Sequence, residues 1–355
     1  MTNRYARIWL TPIVAAVSAA CASTPPVNYA LPPGLSASFS PSALQLSERY
    51  ARTFCSVLAE PALASQGWER CDSYVQMAAQ QPDAAPPPAI PTQWTLLLIG
   101  GFGAECFVPT IEAFSDAAEH LDRVHQVKSH RVPVTAFGSS EENAALILKF
   151  IKTLPPTGKY IVVAHSKGAA DVMVALATYP TELTQIKAII TVAGAVGGSW
   201  IVDDFRELND KVVKTMGPLP CQPAVDRRAA GNGIDSMRRE IRQKFLAANE
   251  PTAPAYSISA VATEAQMSSA LKPLWRRLRP YGLEQDSHIV ERESIVPGGH
   301  FLARALGDHW AVAMPVHGNP KVKPDTLKLV DRNRYPRVAL IEAAVRIVTA
   351  RLPAD

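Results

Sequence analysis

The sequence has little net charge and few aromatic side chains. Its 355 residues include 36 Lys and Arg against 32 Asp and Glu, a formal charge of +4, and aromatic residues make up 7%. No cluster of Lys and Arg lies beside aromatic residues that could stack on bases. The composition gives no sign of a nucleic-acid-binding surface, and we expect no nucleic acid among the partners.

Motifs for the common bound groups are also missing. The five cysteines include no CxxC pair that would favour a metal. There is no GKS or GKT sequence for a phosphate-binding loop, and the glycines near residue 100 do not complete a dinucleotide fingerprint. The sequence therefore indicates neither a metal nor a cofactor, and it leaves the oligomeric state open.

Residues 1–20 have the pattern of an export signal. Arg4 and Arg7 precede an uncharged, mostly apolar run that is too short to span a bilayer. The run ends at Cys21, as in bacterial lipoprotein signals, where cleavage before the cysteine leaves it lipid-modified; Ser18 replaces the usual aliphatic residue. We expect an exported protein of the periplasm or cell envelope, anchored to the membrane through Cys21. Plain secretion, an uncleaved anchor and a cytosolic chain remain alternatives.

Four cysteines remain if Cys21 carries a lipid. An even number in an oxidising compartment suggests two disulfides. Cys55–Cys71 is the local pairing, and Cys106–Cys221 would then follow. Free buried thiols are the alternative.

Proline divides the N-terminal part of the chain. Five prolines among small residues indicate a flexible tether over 21–41. Residues 42–80 are predicted to form two helices, a hairpin joined by the first cysteine pair. Residues 81–91 form a second, stiff Pro-rich linker.

Strands and helices alternate over residues 92–355, the predicted main domain. The predicted strands have the sequences WTLLLIGG, HRVPVTAF, KYIVVAH, IKAIITVAGAV, PAYSISAVA and GGHFLARAL. Nearly continuous apolar strands in this order call for a parallel sheet covered by helices on both faces. The sequence therefore predicts an α/β fold with a doubly wound, mostly parallel sheet.

The alternation breaks over about residues 198–250. The stretch is mostly polar but holds one amphipathic pattern, with Ile234, Met237, Ile241 and Phe245 on one face and Arg and Lys opposite. Such a helix could cover a binding pocket, or it could simply pack its apolar face on the domain.

Ser166 lies in the sequence AHSKG, between an apolar strand and a helix rich in small residues. This matches G-x-S-x-G except that Ala164 replaces the first glycine. The pattern places a serine on a sharp strand-to-helix turn, where its hydroxyl projects above the sheet. Ser166 is therefore a candidate nucleophile, and a purely structural serine is the alternative.

A serine nucleophile needs donors for a developing oxyanion. The backbone N–H of Lys167 is one candidate, and the N–H of Phe102, in a loop with Gly101 and Gly103, is the other. A glycine turn without a ligand role is the alternative for that loop. The Lys167 side chain could attract an anionic substrate, but a solvated lysine is the simpler interpretation.

The base and the acid are expected in the order Ser, Asp or Glu, His, on loops after late strands. His309 follows the last predicted strand and is the candidate base, with His300 as the alternative. Asp286 is the candidate acid that orients His309. The alternatives for the acid are Glu284, Glu264, Asp308, Asp203 and Asp204.

Four segments in this order, VVAHSKGAAD, AIITVAGAVGGS, QDSHIV and GDHWAVAMP, resemble the bacterial lipase- and esterase-like members of the α/β-hydrolase superfamily. The resemblance covers about residues 92–352, and it implies a helical cap over about residues 198–250, where members of this family often carry one. It implies a triad that maps onto Ser166, Asp286 and His309, and an exported serine hydrolase that cleaves small-molecule or lipid carboxylic esters through an acyl-enzyme without a cofactor. Acyl transfer, thioester or amide cleavage, and a non-catalytic envelope lipoprotein remain alternatives.

Overall fold

The structure, a computed structural model, describes residues 41–76, 86–104, 111–135, 137–204 and 233–353. The predicted signal, the tether, Cys21 and the pair Cys106–Cys221 lie outside the described residues. Within the described ranges, none of the helices combines the length and the apolar character that crossing a membrane requires.

Six parallel strands form the centre of the fold. They are β1 (Trp94–Ile99), β2 (Lys128–Arg131), β3 (Lys159–His165), β4 (Ile186–Val192), β5 (Ala255–Val261) and β6 (His300–Leu306). Their order across the sheet is β2-β1-β3-β4-β5-β6. The chain therefore runs outward from β1 in one direction and then from β3 in the other, as in a doubly wound fold. The predicted fold class is confirmed.

Ten helices accompany the sheet in the described parts of the chain. They are α1 (Pro41–Leu58), α2 (Pro61–Ala64), α3 (Ser115–His125), α4 (Ser140–Ile151), α5 (Lys167–Thr178), α6 (Trp200–Asp204), α7 (Arg239–Ala248), α8 (Lys272–Leu278), α9 (Pro324–Leu329) and α10 (Arg337–Thr349). Short 3-10 turns add Cys71–Ser73, Glu264–Gln266, Arg279–Tyr281 and Glu291–Ser294.

The sheet buries both faces, which explains its nearly continuous apolar strands. Side chains alternate along a strand, so Leu96 and Leu98 face one core while Leu97 and Ile99 face the other. The first core also contains apolar residues of α1, α3 and α10. The second contains apolar residues of α4 and α5.

β2 is shorter than predicted and begins earlier. The predicted strand included Pro133, which has no N–H to donate to a neighbouring strand. Val132 still donates its N–H to the carbonyl of Leu98 at 3.0 Å, and the chain then leaves the sheet.

The N-terminal segment packs into the domain. Tyr50, Phe54 and Val57 of α1 are fully buried in the first core, and the Tyr50 hydroxyl donates to the carbonyl of Leu340 in α10 at 2.8 Å. The predicted disulfide Cys55–Cys71 is present.

The second predicted helix of the hairpin is not present as an α-helix in the described residues up to 76. After the 3-10 turn at Cys71–Ser73 the chain runs antiparallel to β6, with Val75 opposite Ala305. Leu306 donates its N–H to the Tyr74 carbonyl at 2.7 Å, and Gln76 donates to the Arg304 carbonyl at 2.9 Å. The open edge of β6 offers backbone groups that need partners, and pairing with them outweighs local helix propensity.

α7 presents a different face from the one predicted. Arg239 and Arg242 are buried, whereas Ile241 is 40% exposed. The guanidinium of Arg239 lies 3.9 Å from the Trp200 ring centre, and Arg242 donates to the Val196 carbonyl at 2.9 Å. Partners outside the helix therefore turn Arg239 and Arg242 inward, while Phe245 of the predicted stripe still packs against the second core.

We predict that the Cys55–Cys71 bridge stabilises the fold by about 3 kcal/mol, because it closes a loop of 16 residues. Cys55→Ala, Cys71→Ala and the double variant should each lose about the same free energy of unfolding in urea, because either single change already breaks the bridge. Two single losses that add up in the double variant would contradict a covalent contribution.

Candidate active site

Ser166 occupies a sharp turn between β3 and α5. Its backbone has φ 53° and ψ −124°, a conformation that residues other than glycine rarely adopt. The turn is anchored on both sides, because the N–H of Ser166 donates to the Val192 carbonyl and its own carbonyl accepts from Ala195 at 2.9 Å. Such strain is typical of functional sites and matches the geometry of a nucleophile elbow.

Glycines around the turn allow close backbone approach. A Cβ at Gly101 would lie 2.7 Å from the Cβ of Ser166, and a Cβ at Gly168 would lie 2.6 Å from the carbonyl oxygen of Gly100. Ala164 lies within β3 and is fully buried among apolar side chains of the second core. The fold therefore requires the second glycine of the motif and accommodates a methyl group at the first.

The structure brings Ser166, His309 and Asp286 together. His309 Nε2 lies 2.9 Å from Ser166 Oγ, and His309 Nδ1 lies 2.7 Å from Asp286 Oδ2. A carboxylate can only accept, so Nδ1 carries the proton and donates to Asp286. Nε2 is then free to accept the proton of the Ser166 hydroxyl. This is the arrangement in which a serine can be activated by a neighbouring base.

The loop after β5 holds the Asp286 carboxylate. Its Oδ1 accepts the backbone N–H groups of His288 and Ile289 at 2.9 and 2.8 Å. The N–H of His309 donates in turn to the Asp286 carbonyl at 3.0 Å. The acid and the base are thus connected through backbone as well as side chain.

Burial governs the protonation states of Asp286 and His309. Ser166, Asp286 and His309 are 6%, 0% and 3% exposed. Burial lowers the pKa of His309 and raises that of Asp286, against the two backbone hydrogen bonds that favour the carboxylate. His309 is therefore neutral near pH 7, the form that a general base needs.

Two further histidines contact His309. The rings of His309 and His288 are stacked, with centres 4.5 Å apart and planes at 17°. His165 lies 4.6 Å away at 40° and its Nε2 is 3.0 Å from the His309 carbonyl oxygen. Burial is the main cause that lowers the pKa of both, and the neighbouring His309 adds to it. His288, two residues after Asp286, was not among the residues predicted for the site.

The Lys167 side chain is buried, contrary to the predicted solvated lysine. It is 1% exposed, and its ammonium lies 2.7 and 2.9 Å from the two oxygens of Asp171. Asp171 also accepts from the Ser140 hydroxyl and the Asn143 amide, each at 2.7 Å. The ammonium is therefore neutralised below the turn, and the (i, i+4) spacing of Lys167 and Asp171 was the sequence signal for it.

The remaining acidic candidates are engaged elsewhere. Asp308 accepts from the backbone N–H groups of Ser268, Trp310 and Ala311, and Glu264 pairs with Arg276. Glu284 is exposed. Asp203 lies beside Arg239, and Asp204 beside Arg277. Among the described acidic candidates, Asp286 is the one in contact with His309.

The alternative base, His300, lies far from Ser166 along the sheet. It opens β6 and stacks on Tyr256 with ring centres 4.9 Å apart. Ser166 follows the carboxyl end of β3. Since all strands are parallel, His300 lies at the amino ends of the strands and Ser166 at their carboxyl ends.

A cavity of about 360 Å³ opens beside Ser166 and His309. Its described lining contains no Lys, Arg, Asp or Glu. The apolar lining residues are Phe102, Ala104, Ile201, Val202, Ile234, Met237, Ile289, Trp310 and Met314. The lining thus includes the predicted oxyanion residue Phe102 and the two residues of the predicted cap stripe that precede α7.

Two other polar features lie away from this site. A more open cleft of about 600 Å³ contains none of Ser166, Asp286 and His309. The second feature is a cluster of His120, His125 and Glu342, in which each His Nε2 lies 2.9 Å from a Glu342 oxygen. Arg346 donates to the same carboxylate at 2.6 Å. This cation already compensates Glu342, so the cluster is a poor site for a metal ion.

Comparison with known proteins identifies the fold. No protein-family model and no curated protein sequence matches the chain. The crystal structure of the metagenomic carboxyl esterase MGS0156 matches with a TM-score of 0.77 and 27% identity, over 95% of this chain and 99% of that one. The propeptide form of Bacillus licheniformis lipase BlEst2 matches with a TM-score of 0.50 and 17% identity, over 65% of this chain and 48% of that one.

The chain has the α/β-hydrolase fold, and the resemblance noted in the sequence is confirmed. The position of Ser166 after β3, on the turn into α5, is the one that this fold gives to its nucleophile.

We predict that the buried charges of Lys167 and Asp171 are coupled, so that removing one of them costs more stability than removing both. Lys167→Met leaves a buried carboxylate without its cation, and Asp171→Asn leaves a buried ammonium without its anion. Each should cost about 3–5 kcal/mol of unfolding free energy in urea. The double variant should lose less than either single variant, because it removes both charges while the introduced amide still bonds to Ser140 and Asn143.

A matched control is Lys244→Met, which breaks the exposed (i, i+4) pair of Lys244 and Glu240. It should change stability little, because solvent screens exposed pairs. Losses that simply add in the double variant at residues 167 and 171 would contradict the coupling.

Proposed function

We propose that this protein is a serine hydrolase that cleaves carboxylic esters. The observation that carries the proposal is the hydrogen-bonded series Ser166–His309–Asp286 at the wall of an apolar cavity. The match to a carboxyl esterase over nearly the whole of both chains supports it.

Ser166 is the proposed nucleophile and His309 the proposed base. As Ser166 Oγ attacks the acyl carbon, its proton moves to His309 Nε2, 2.9 Å away. The imidazolium that forms is stabilised by the Asp286 carboxylate on Nδ1. His309 then gives the proton to the departing alcohol, which leaves an acyl group on Ser166.

A water molecule completes the cycle. His309 takes a proton from the water, and the resulting nucleophile attacks the acyl carbon. The acyl–oxygen bond to Ser166 breaks, Oγ regains the proton from His309, and the carboxylic acid is released. Each step uses the same Nε2 atom alternately as base and acid.

The backbone N–H groups of Lys167 and Phe102 are the proposed oxyanion donors. Lys167 opens α5, so its N–H stands at the positive end of the helix. Phe102 follows Gly101, which lies against Ser166, and its ring packs edge-on against Phe137 with centres 4.9 Å apart. Both donors therefore lie on elements that are already fixed around the nucleophile.

The cavity favours an uncharged acyl ester. Its walls are mostly apolar. The ammonium of Lys167, the residue that follows Ser166, is paired with Asp171 and does not line the cavity. An anionic substrate would lose its hydration without finding a partner among the described lining residues. We therefore propose small-molecule or lipid esters with an apolar acyl chain, and hydrolysis without a cofactor.

We predict that Ser166→Ala abolishes both ester hydrolysis and covalent labelling by a fluorophosphonate. Purified wild-type and variant proteins would be compared on acetyl, butyryl and octanoyl nitrophenyl esters. Activity should fall by at least about 10³-fold, because the variant has no nucleophile. Ser259→Ala is a matched control, since that buried serine bonds to Glu291 away from the cavity.

Equal labelling of wild-type and Ser166→Ala protein would contradict the assignment of Ser166. Labelling of the wild type without turnover of any ester would instead favour acyl transfer or another bond type.

Export and membrane attachment are a separate proposal that rests on the N-terminal sequence. We propose that the chain is lipid-modified at Cys21 and held in the cell envelope. Metabolic labelling with palmitate in a bacterial host should mark the wild type and should be lost in Cys21→Ala. Ser18→Ala should retain the label, and labelling that persists in Cys21→Ala would refute the anchor.

A further inference from the structure

His288 is placed against the base by three hydrogen bonds. Its backbone N–H donates to Asp286 Oδ1 at 2.9 Å, and its carbonyl accepts from the Ser199 hydroxyl at 2.7 Å. Its Nδ1 lies 2.8 Å from the Ser287 hydroxyl oxygen. The main chain and the ring are therefore both fixed, and the ring stacks on His309 at 4.5 Å.

The residue before it holds an unfavourable backbone conformation. Ser287 has φ 92°, in the region that favours glycine, and its N–H donates to Gln285 Oε1 at 2.6 Å. Glycine would relieve the strain but would lose the hydroxyl that contacts His288. Strain of this kind persists only where surrounding contacts impose it.

We propose that His288 is a positioning residue for the base: its imidazole, held by Ser287, fixes the plane of the His309 ring and shields one face of it from water. The proposal rests on the proposed function of Ser166, Asp286 and His309. His288 itself is partly exposed and lines the cavity, whereas His309 is buried. His288 thus lies between the base and the open space where water and substrate enter.

The effect of shielding His309 from water depends on the other groups that contact its ring. Asp286 faces Nδ1, Ser166 faces Nε2, and the imidazoles of His165 and His288 contact the ring. The carboxylate of the adjacent Asp308 is turned to three backbone N–H groups. Near pH 7 Asp286 is therefore the charged group in contact with His309 among the described residues.

Water at the uncovered face would stabilise the imidazolium of His309. Its pKa would then rise toward the ordinary value, because desolvation is what lowers it. A higher pKa protonates the base at a higher pH, so activity on the acid side would be lost earlier. An aromatic ring without a titrating group should provide the same cover.

The test is the pH dependence of fluorophosphonate labelling at Ser166 and of kcat/KM on nitrophenyl butyrate. In His288→Ala the acid limb of both profiles should move up by about one pH unit, and kcat should fall by roughly tenfold with KM changed less than about twofold. In His288→Phe the acid limb should stay at its wild-type pH, because the ring still covers His309, and kcat should recover only in part, because Phe cannot bond to the Ser287 hydroxyl.

Variants of Ser287 distinguish a positioning role of His288 from a purely structural one. Ser287→Gly should keep or raise Tm, because it removes the strained φ, and yet it should lower the labelling rate severalfold. Ser287→Ala should lower the labelling rate similarly without any gain in Tm.

Two outcomes overturn the proposal. An acid limb and a labelling rate in His288→Ala equal to those of the wild type, with only Tm reduced, assign His288 a purely structural role. Wild-type labelling in Ser287→Gly rules out the hydroxyl contact as the support of His288. A wild type that is not labelled at all defeats the proposed function first, and this inference with it.

Discussion

The backbone turn at Ser166 is the constraint on which the rest of the site depends. β3 ends and α5 begins with one residue between them, and that residue must take a left-handed φ of 53°. The turn leaves no room for side chains at Gly101 and Gly168, so two neighbouring elements are fitted to it at backbone distance. The hydroxyl is thereby fixed before any partner is added, and His309 and Asp286 need only reach it from their own loops.

A buried network of hydrogen bonds around Asp171 fixes the helix α5 that follows the turn. Asp171 joins Lys167 to the first turn of α4, and the N–H of Ser140 there donates to the hydroxyl of Ser236 at 2.9 Å. Met237, next in the chain, lines the cavity. The elbow and the cavity wall therefore share one set of hydrogen bonds. A buried charge pair contributes little net stability, but it leaves few other arrangements open to these elements, which suits a site that must hold sub-ångström geometry.

The features that the sequence predicted are those that depend on residues close together in the chain. Five of the six strands followed from apolar runs, whereas β2 is polar and overlaps the predicted strand only at residues 130–131. The sharp turn at Ser166 followed from a motif with the right flanking elements. The Cys55–Cys71 disulfide followed from spacing. Features decided by distant partners were not predictable: α7 turns Arg239 inward because Trp200 lies opposite, and residues 74–76 become extended because the edge of β6 needs a partner. The contact of His288 with His309 was not predictable either, because ring stacking joins two loops that are separate in sequence.

Residues 41–76 precede the region in which the sequence resembles the family, and they support the position of His309 indirectly. Leu306 donates to the Tyr74 carbonyl at the end of β6, three residues before His309, and the Tyr335 hydroxyl donates to the same carbonyl at 2.6 Å. The disulfide at Cys71 ties this segment to α1, which packs on α10. β6 is an edge strand, and an edge strand without a neighbour frays first. Covering that edge therefore keeps the loop that carries His309 close to Ser166, so residues 41–76 support the geometry of the candidate site without lining its cavity.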